Sequence, residues 1–286
     1  MNKMMLIDAN ALGHVVKHAT KQLSFRGDHT GVIFGFIQKL FKIQSEVLAD
    51  DLVFCWDGSR DELLRRDLLP TYKEVNEKKK TEQDIELDRI ARPQFKRLRL
   101  EVLPKIGFAN QLLYEGFEAD DVIAQIVNQY NGSIQIFIVS RDNDMHQLLS
   151  STVSMFDPVK LGYFTREAFI RKWGIEPQDW DCVKAIAGCS GDNVPGVPGV
   201  KEKTAIKFLK GELGSHTVKH KAILEMEEDC IENLRLVKLP FEAMEPVELY
   251  EDNLSVQNFR EVCHEFGFKS LVDKDEDFVT LFGGER

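Results

Sequence analysis

Apolar residues in this chain alternate between short unbroken runs and helical spacing. Lys3 to Asp8 reads as a buried strand with a carboxylate at its C-terminal end. Thr30 to Leu48 sets Val32, Phe36, Ile37, Leu40, Phe41 and Val47 at helical intervals, and Leu52 to Trp56 is a second apolar strand followed by Asp57-Gly58. Residues 60–107 are highly charged and predicted helical, with few apolar anchors before Ile85. Asn110 to Tyr114 reads as a strand, Ala119 to Tyr130 as an amphipathic helix opening just after Glu118, and Ile134 to Val139 as the strongest strand of all. Asn143 to Leu149 then looks helical. This rhythm predicts an α/β fold with a mainly parallel central sheet flanked by helices. From Thr165 onward the pattern is mostly helical. Thr165 is a candidate N-cap with Ala168, Phe169 and Trp173 behind it, and a further helix runs from Pro177 and Trp180 to about Ala187. The expected organisation is an α/β core over 1–164 and a helical region over 165–286.

Composition narrows the class. The chain has 286 residues, 43% of them apolar, so it can bury a substantial core. No apolar run approaches the roughly 18 residues needed to cross a bilayer, and Met1 to Leu6 shows no basic region followed by a cleavage site. Five scattered cysteines without a Cys-x-x-Cys pair suggest a reduced, cytoplasmic protein. A net charge of −10 argues at first against a nucleic-acid partner. Its distribution reverses that reading: thirteen Lys/Arg face ten Asp/Glu between Arg60 and Lys105, and six Lys face two Glu between Lys201 and Lys221. Two basic segments therefore flank an acidic remainder.

The acids themselves have a pattern. Asp8, Asp57 and Asp142 each follow a strand-like run, where an open parallel sheet binds its ligands. Glu118, Asp120 and Asp121 cluster at a helix start, and Asp144 and Asp192 complete the set. Carboxylates gathered in one place repel and resist desolvation unless cations join them. Two divalent ions about 3.5–4 Å apart can clamp the attacking and leaving oxygens of a phosphodiester. The glycine- and proline-rich stretch from Gly188 to Val200 specifies tight backbone geometry between helices, and Lys201, Lys203 and Thr204 beside it suit a duplex phosphate.

Taken in order, Asp8, Thr30-Gly31, Asp57, Glu118-Ala119-Asp120-Asp121, Ser140-x-Asp142-x-Asp144 and Gly188-x-x-x-Asp192-Asn193-x-Pro195-Gly196-x-Pro198-Gly199 resemble the 5′ nucleases. That family includes flap endonucleases, phage 5′→3′ exonucleases and the 5′ nuclease domain of bacterial DNA polymerase I. The resemblance covers about residues 4–210. It implies a PIN-like 5′ nuclease fold with a helical arch at about 60–107 and a helix-hairpin-helix-like duplex-binding motif at about 188–210. It also implies two Mg²⁺, with Mn²⁺ able to substitute. Asp8, Asp57, Glu118, Asp120 and Asp121 match the surroundings of the first ion, and Asp142, Asp144 and Asp192 those of the second. Lys73 matches the residue that neutralises the scissile phosphate. Arg65 and Tyr72 match the basic segment leading into the arch, where Lys78, Lys79 and Lys80 add charge. Gly196, Gly199, Lys201, Lys203 and Thr204 match the duplex-tracking motif, with K⁺ held by the turn at 194–200. The implied protein is a monomer working on branched or 5′-ended duplex DNA, or RNA:DNA hybrid, beside replication proteins. Its length resembles a stand-alone phage or bacterial enzyme.

Four positions depart from the family pattern. Cys189 replaces a second-site carboxylate, and a neutral thiol is a poor Mg²⁺ ligand, so a weaker second site is expected. Asn76 stands where the arch usually has an arginine, Val15 where an arginine follows the first aspartate, and Lys201 where a glycine is usual. Two alternatives stay open at this level: a structure-specific DNA-binding protein with weakened catalysis, and a primer-removing ribonuclease acting on hybrids.

Overall fold

The computed structural model describes residues 2–18, 23–74, 81–242 and 244–283. Among the described residues eight strands occur in the order β1 (Lys3–Asp8), β2 (Ser24–Phe25), β3 (Asp28–His29), β4 (Asp51–Cys55), β5 (Gln111–Leu112), β6 (Gln135–Val139), β7 (Val153–Asp157) and β8 (Gly162–Phe164). Six of them form one sheet in the order β5-β4-β1-β6-β7-β8, while β2 and β3 make a separate small hairpin. All pairings in the large sheet are parallel except β7 with β8. The chain starts in the middle at β1, builds outward through β4 and β5, then returns to lay β6, β7 and β8 on the other side. That reversal opens a crevice at the carboxyl ends of the strands beside β1.

Alternation along the strands divides the interior in two. Met5 and Ile7 of β1, with Phe54 of β4, face one core, while Met4 and Leu6, with Val53 and Cys55, face the other. The first core is closed by the Gly31–Val47 helix and by helices near the C-terminus, Val256–Phe266 and Asp275–Phe282. Phe259 and Phe278 stack there at 4.7 Å, and Phe282 meets Phe41, Phe108 and Phe278 edge-on or tilted. The second core takes the Ala119–Tyr130 helix together with Phe169, Trp180 and Val183. Residues from both sides of position 164 thus share each core, and the boundary expected there does not separate two hydrophobic interiors.

Several local expectations shift. Strand β5 is only two residues long, and the segment expected to be helical at 143–149 is a 3-10 turn over Asp144–Leu148. Strands β7 and β8 fill a stretch to which the apolar pattern assigned nothing. Thr165 does cap its helix, Arg166–Trp173, accepting from the Ala168 N–H at 3.3 Å.

The charged stretch contains the Glu82–Arg97 helix, opened by a Thr81/Asp84 capping box. Specific groups fasten it to the core, Ala91 among them, buried in the first interior. Gln94 Oε1 accepts from the Val32 N–H at 2.8 Å, so a side chain of this helix caps the Gly31–Val47 helix, whose own Thr30 makes no capping bond. Lys17 pairs with Asp88 at 2.7 Å, and the Phe95 ring lies where a Cβ on Gly13 would stand, 2.2 Å from its Cε1.

Candidate active site

Strand register brings three of the acids to one rim of the sheet. Parallel pairing puts Asp8 opposite Cys55, two residues short of Asp57, and Ile7 opposite Val139, so Ser140 stands level with Asp8. The Ser140 hydroxyl donates to Asp8 Oδ2 and its oxygen accepts from the Asp142 N–H, both at 3.1 Å. Asp142 Oδ1 in turn accepts from the Asp144 N–H at 2.9 Å. The other Asp8 oxygen accepts from the Ala11 N–H and so caps the helix Ala9–Lys17. Asn10 of that helix accepts from the Asp57 N–H, and Asp57 Oδ1 accepts from Ala119 N–H at the start of Ala119–Tyr130. Glu118 and Asp120 sit on either side of that residue. A helix start favours negative charge, which is why acids collect there.

The far wall comes from two loops. The Tyr72 O–H donates to Glu118 Oε2 at 2.8 Å, and Lys73 Nζ pairs with Glu118 Oε1 and lies 3.6 Å from Asp192 Oδ1. Lys73 has a φ of 48°, a left-handed conformation that costs a non-glycine residue energy and persists where its surroundings impose it. Its N–H donates to the Asp192 carbonyl at 3.0 Å, and Asn193 Nδ2 donates to the carbonyls of Thr71 and Glu74. These bonds join segment 71–74 to the turn at 188–194. Backbone packing fixes the turn itself: a Cβ on Gly188 would meet Gly196 N at 2.4 Å, and one on Gly196 would meet Ala187 O at 2.1 Å.

The enclosed charges act on one another. Burial, then the neighbouring Asp57 charge, pushes the Asp8 carboxyl up to about 7. Asp57 has an exposed outer edge, yet the protein packed around it still lifts its carboxyl above the usual range. Burial raises Asp120 strongly; Lys73 opposes the shift, and Glu118, Asp142 and Asp8 add to it. Asp142, though open to solvent on one side, and half-buried Asp192 are raised as well, by the protein packed around them, with Asp144 contributing to both. Burial works against the Lys73 ammonium, but Glu118, Asp120 and Asp192 outweigh it and hold Lys73 well above an ordinary lysine. Carboxyls held above their ordinary range by burial and by one another are what a hard divalent cation relieves. Asp8, Asp57, Asp120 and Asp142 would hold such an ion, with Glu118 beside them already paired with Lys73, Tyr72 and Arg65. Among the described residues, the group whose ligand atoms already lie within 4.8 Å of one another is Asp144, Cys189 and Asp192.

Residues 3–174 match the family model for the 5′-3′ exonuclease N-terminal resolvase-like domain. The chain belongs to this family. A 5′-3′ exonuclease of Aquifex aeolicus is 29% identical over 301 residues, covering 100% of this chain and 99% of that protein. One of Bacillus subtilis is 32% identical over 219 residues, covering 73% and 70%. DNA polymerase I of Mycobacterium tuberculosis is 32% identical over 220 residues, which is 74% of this chain and 23% of that entire protein. The chain therefore spans about a quarter of the length of those polymerases. Among solved structures, a zinc-bound T5 5′-exonuclease superposes with a TM-score of 0.70 at 22% identity, covering 98% of this chain and 99% of that one. A flap endonuclease-1 of Methanococcus jannaschii superposes with a TM-score of 0.58 at 15% identity, covering 99% and 93%. At those identities the likeness concerns the fold: a mostly parallel six-stranded sheet with flanking helices.

Within this 5′-3′ exonuclease fold, two of the expected residues have other employment. Asp121 is wholly buried at 0% exposure, and its two oxygens take a fork from Arg65 at 2.6 and 2.7 Å. The same oxygens accept from the N–H groups of Glu118 and Phe241, which leaves none for a metal. Arg65, expected at the DNA, is 2% exposed and spends its guanidinium on Asp121, Glu118 and the Leu236 carbonyl. The pair clamps the segment carrying Tyr72 and Lys73 against the Ala119–Tyr130 helix. Arg65→Met leaves the Asp121 carboxylate buried without its counter-charge, and the expected loss in urea unfolding free energy is about 3–5 kcal/mol. A loss within about 0.5 kcal/mol, the range of ordinary surface changes, would contradict that role.

The remaining expected residues divide by place. Tyr72 is buried and faces Glu118 rather than open surface. Gly196 serves backbone packing, whereas Gly199, at φ +74°, turns the chain toward exposed Lys201 and Lys203 and half-buried Thr204, around the start of helix Glu202–Leu209. Lys78, Lys79, Lys80 and Asn76 lie outside the described residues. Ser140 and Asn10 orient the acids directly. Sequence reasoning passed over Asn10, whose only signal is its place two residues after Asp8.

Proposed function

We propose that the chain is a divalent-metal-dependent 5′ nuclease that hydrolyses phosphodiesters at 5′ ends and 5′ flaps of DNA, in replication, primer removal or repair. The observation that carries this reading is the crevice beside β1, where Asp8, Asp57, Glu118, Asp120 and Asp142 meet Lys73. A divalent ion bound there, Mg²⁺ or Mn²⁺, supplies positive charge against the phosphate and makes water a better nucleophile near neutral pH. The protein's own groups do the rest. Ser140 orients Asp8 through its hydroxyl and holds the Asp142 backbone N–H, which keeps the two acids on the same rim. Lys73 donates to a non-bridging oxygen of the scissile phosphate, exchanging Glu118 for the substrate as charge develops.

A groove of ≈ 670 Å³ runs from Asp57, Lys73 and Glu118 past Arg60 and Arg66 to Asp88, Arg92 and Phe95 on the Glu82–Arg97 helix. It offers a single strand both cationic and aromatic partners. Duplex DNA is gripped at Lys201 and Lys203, beside the start of helix Glu202–Leu209, whose positive end suits a phosphate; K⁺ at the 194–200 turn belongs to the same proposal. Among the described residues no helix is long and apolar enough to cross a membrane. A cytoplasmic monomer working beside replication proteins completes the reading.

End-labelled flap, nicked, blunt and RNA:DNA hybrid substrates test it. Cleavage from 5′ ends and at flap bases in Mg²⁺ or Mn²⁺, abolished by chelator, is the expected result. Cleavage indifferent to chelator refutes the metal centre, and tight binding of all four substrates without any cleavage favours a DNA-binding scaffold instead.

A further inference from the structure

The other half of the crevice already holds a positive charge. Lys184, on the helix Trp180–Ala187, places Nζ 2.8 Å from Asp144 Oδ1, with the two side chains only 13% and 19% exposed. Cys189 Sγ donates toward the same carboxylate at 3.6 Å, and Asp144, Cys189 and Asp192 bring ligand atoms within 4.8 Å of one another. Asp192 is in turn 3.6 Å from Lys73 Nζ. Both carboxylates that would hold an ion here are therefore engaged by ammonium groups. The third donor is a buried thiol, a soft sulfur that is neutral at ordinary pH. A hard divalent ion takes oxygen donors and avoids neutral sulfur. To bind at this place it must detach Lys184 from Asp144 and lose the oxygen that an aspartate at 189 would have supplied.

We infer that the Lys184 ammonium is the resident cation of this half of the crevice, standing where a second divalent ion would bind, so that the DNA-free protein holds one divalent ion rather than two. A lysine is a compact, strongly hydrated point charge with three donors. One donor on Asp144 leaves others for the oxygens of a bound phosphodiester. The positive charge beside the leaving 3′-oxygen would then be tethered to the chain and independent of ion concentration.

The role in cleavage rests on the nuclease reading, but the ion count does not, because it is measured without DNA. Mn²⁺ uptake by the full chain is counted by electron paramagnetic resonance and titration calorimetry, for the wild type, Lys184→Met and Lys184→Met/Cys189→Asp. The wild type is expected to bind one Mn²⁺, with any further uptake at least about tenfold weaker, a gap of about 1.4 kcal/mol. The double variant is expected to bind two, with a spin-coupled manganese signal. Retention of the first ion in each variant shows that the fold survives. Two ions bound by the wild type within about tenfold of each other would overturn the inference, as would a double variant that keeps its first ion and gains no second. Absence of any DNA cleavage would sink the proposed function and leave the ion count as informative as before.

Discussion

Asp142→Asn is expected to abolish cleavage while leaving DNA binding in place. Asp142 has one structural task, accepting the Asp144 N–H at 2.9 Å, and an asparagine oxygen performs it equally well. The substitution therefore removes charge without removing the bond. Its field reaches both halves of the crevice, since it helps raise Asp8 and Asp120 on one side and Asp192 on the other. If the bound ion contributes several kcal/mol of transition-state stabilisation, losing its hold costs roughly 10³-fold or more in single-turnover rate. Affinity for a labelled flap substrate, read by fluorescence anisotropy in Ca²⁺, should stay within about threefold or tighten, because one charge that repels phosphate is gone. A variant that turns over at the wild-type rate in Mg²⁺ removes Asp142 from the site.

Lys73→Ala carries the second-largest expected effect. In the structure this ammonium balances Glu118 and Asp192, and its energetically unfavourable φ of 48° is maintained by the Asp192 carbonyl on its N–H. The backbone is thus held for the sake of where the side chain points. Losing one preorganised cation from an active site typically slows chemistry by about 10²–10³-fold. The loss should fall on the single-turnover rate, with the dissociation constant for DNA changed much less. Lys73→Arg keeps the charge but spreads it over a planar fork, so partial recovery is expected. An unaltered rate for the alanine variant would restrict Lys73 to a structural pairing with Glu118.

How far the sequence reached can be judged residue by residue. Asp8, Asp57 and Asp142 were readable because a parallel sheet fixes direction: an acid just past an apolar run must emerge on the common rim. The acids at 118–121 were readable as a group but not individually. Spacing cannot say that Asp121 turns to Arg65 while Asp120 faces the crevice, since that depends on a partner 56 residues away. Arg65 misled for the same reason, as a basic residue in a basic stretch that happens to be the buried one. Strands β7 and β8 were missed because Val153 to Phe164 mixes apolar and polar residues without a clean alternation: β7 feeds both cores, and only β8 lies at the edge of the sheet. Lys184 gave no signal at all. It is a single charge on an amphipathic helix, and only the return of Cys189 and Asp144 beside it gives it meaning. The closing helices near the C-terminus pack on the first core through contacts such as Gln44 Nε2 donating to the Leu281 carbonyl at 2.7 Å, a separation of 237 residues that no local pattern can reveal.

The bonds that join Lys73 to Asp192, and Asn193 to Thr71 and Glu74, have a mechanical meaning. On the proposed function, the turn that leads to the duplex-binding lysines is bonded directly to the stretch that presents the ammonium, so a displacement of one is passed to the other. A nucleic acid seated a fraction of an ångström off register would carry the ammonium off target with it. Fidelity in this molecule would then be enforced by arrest on the wrong junction rather than by failure to hold it.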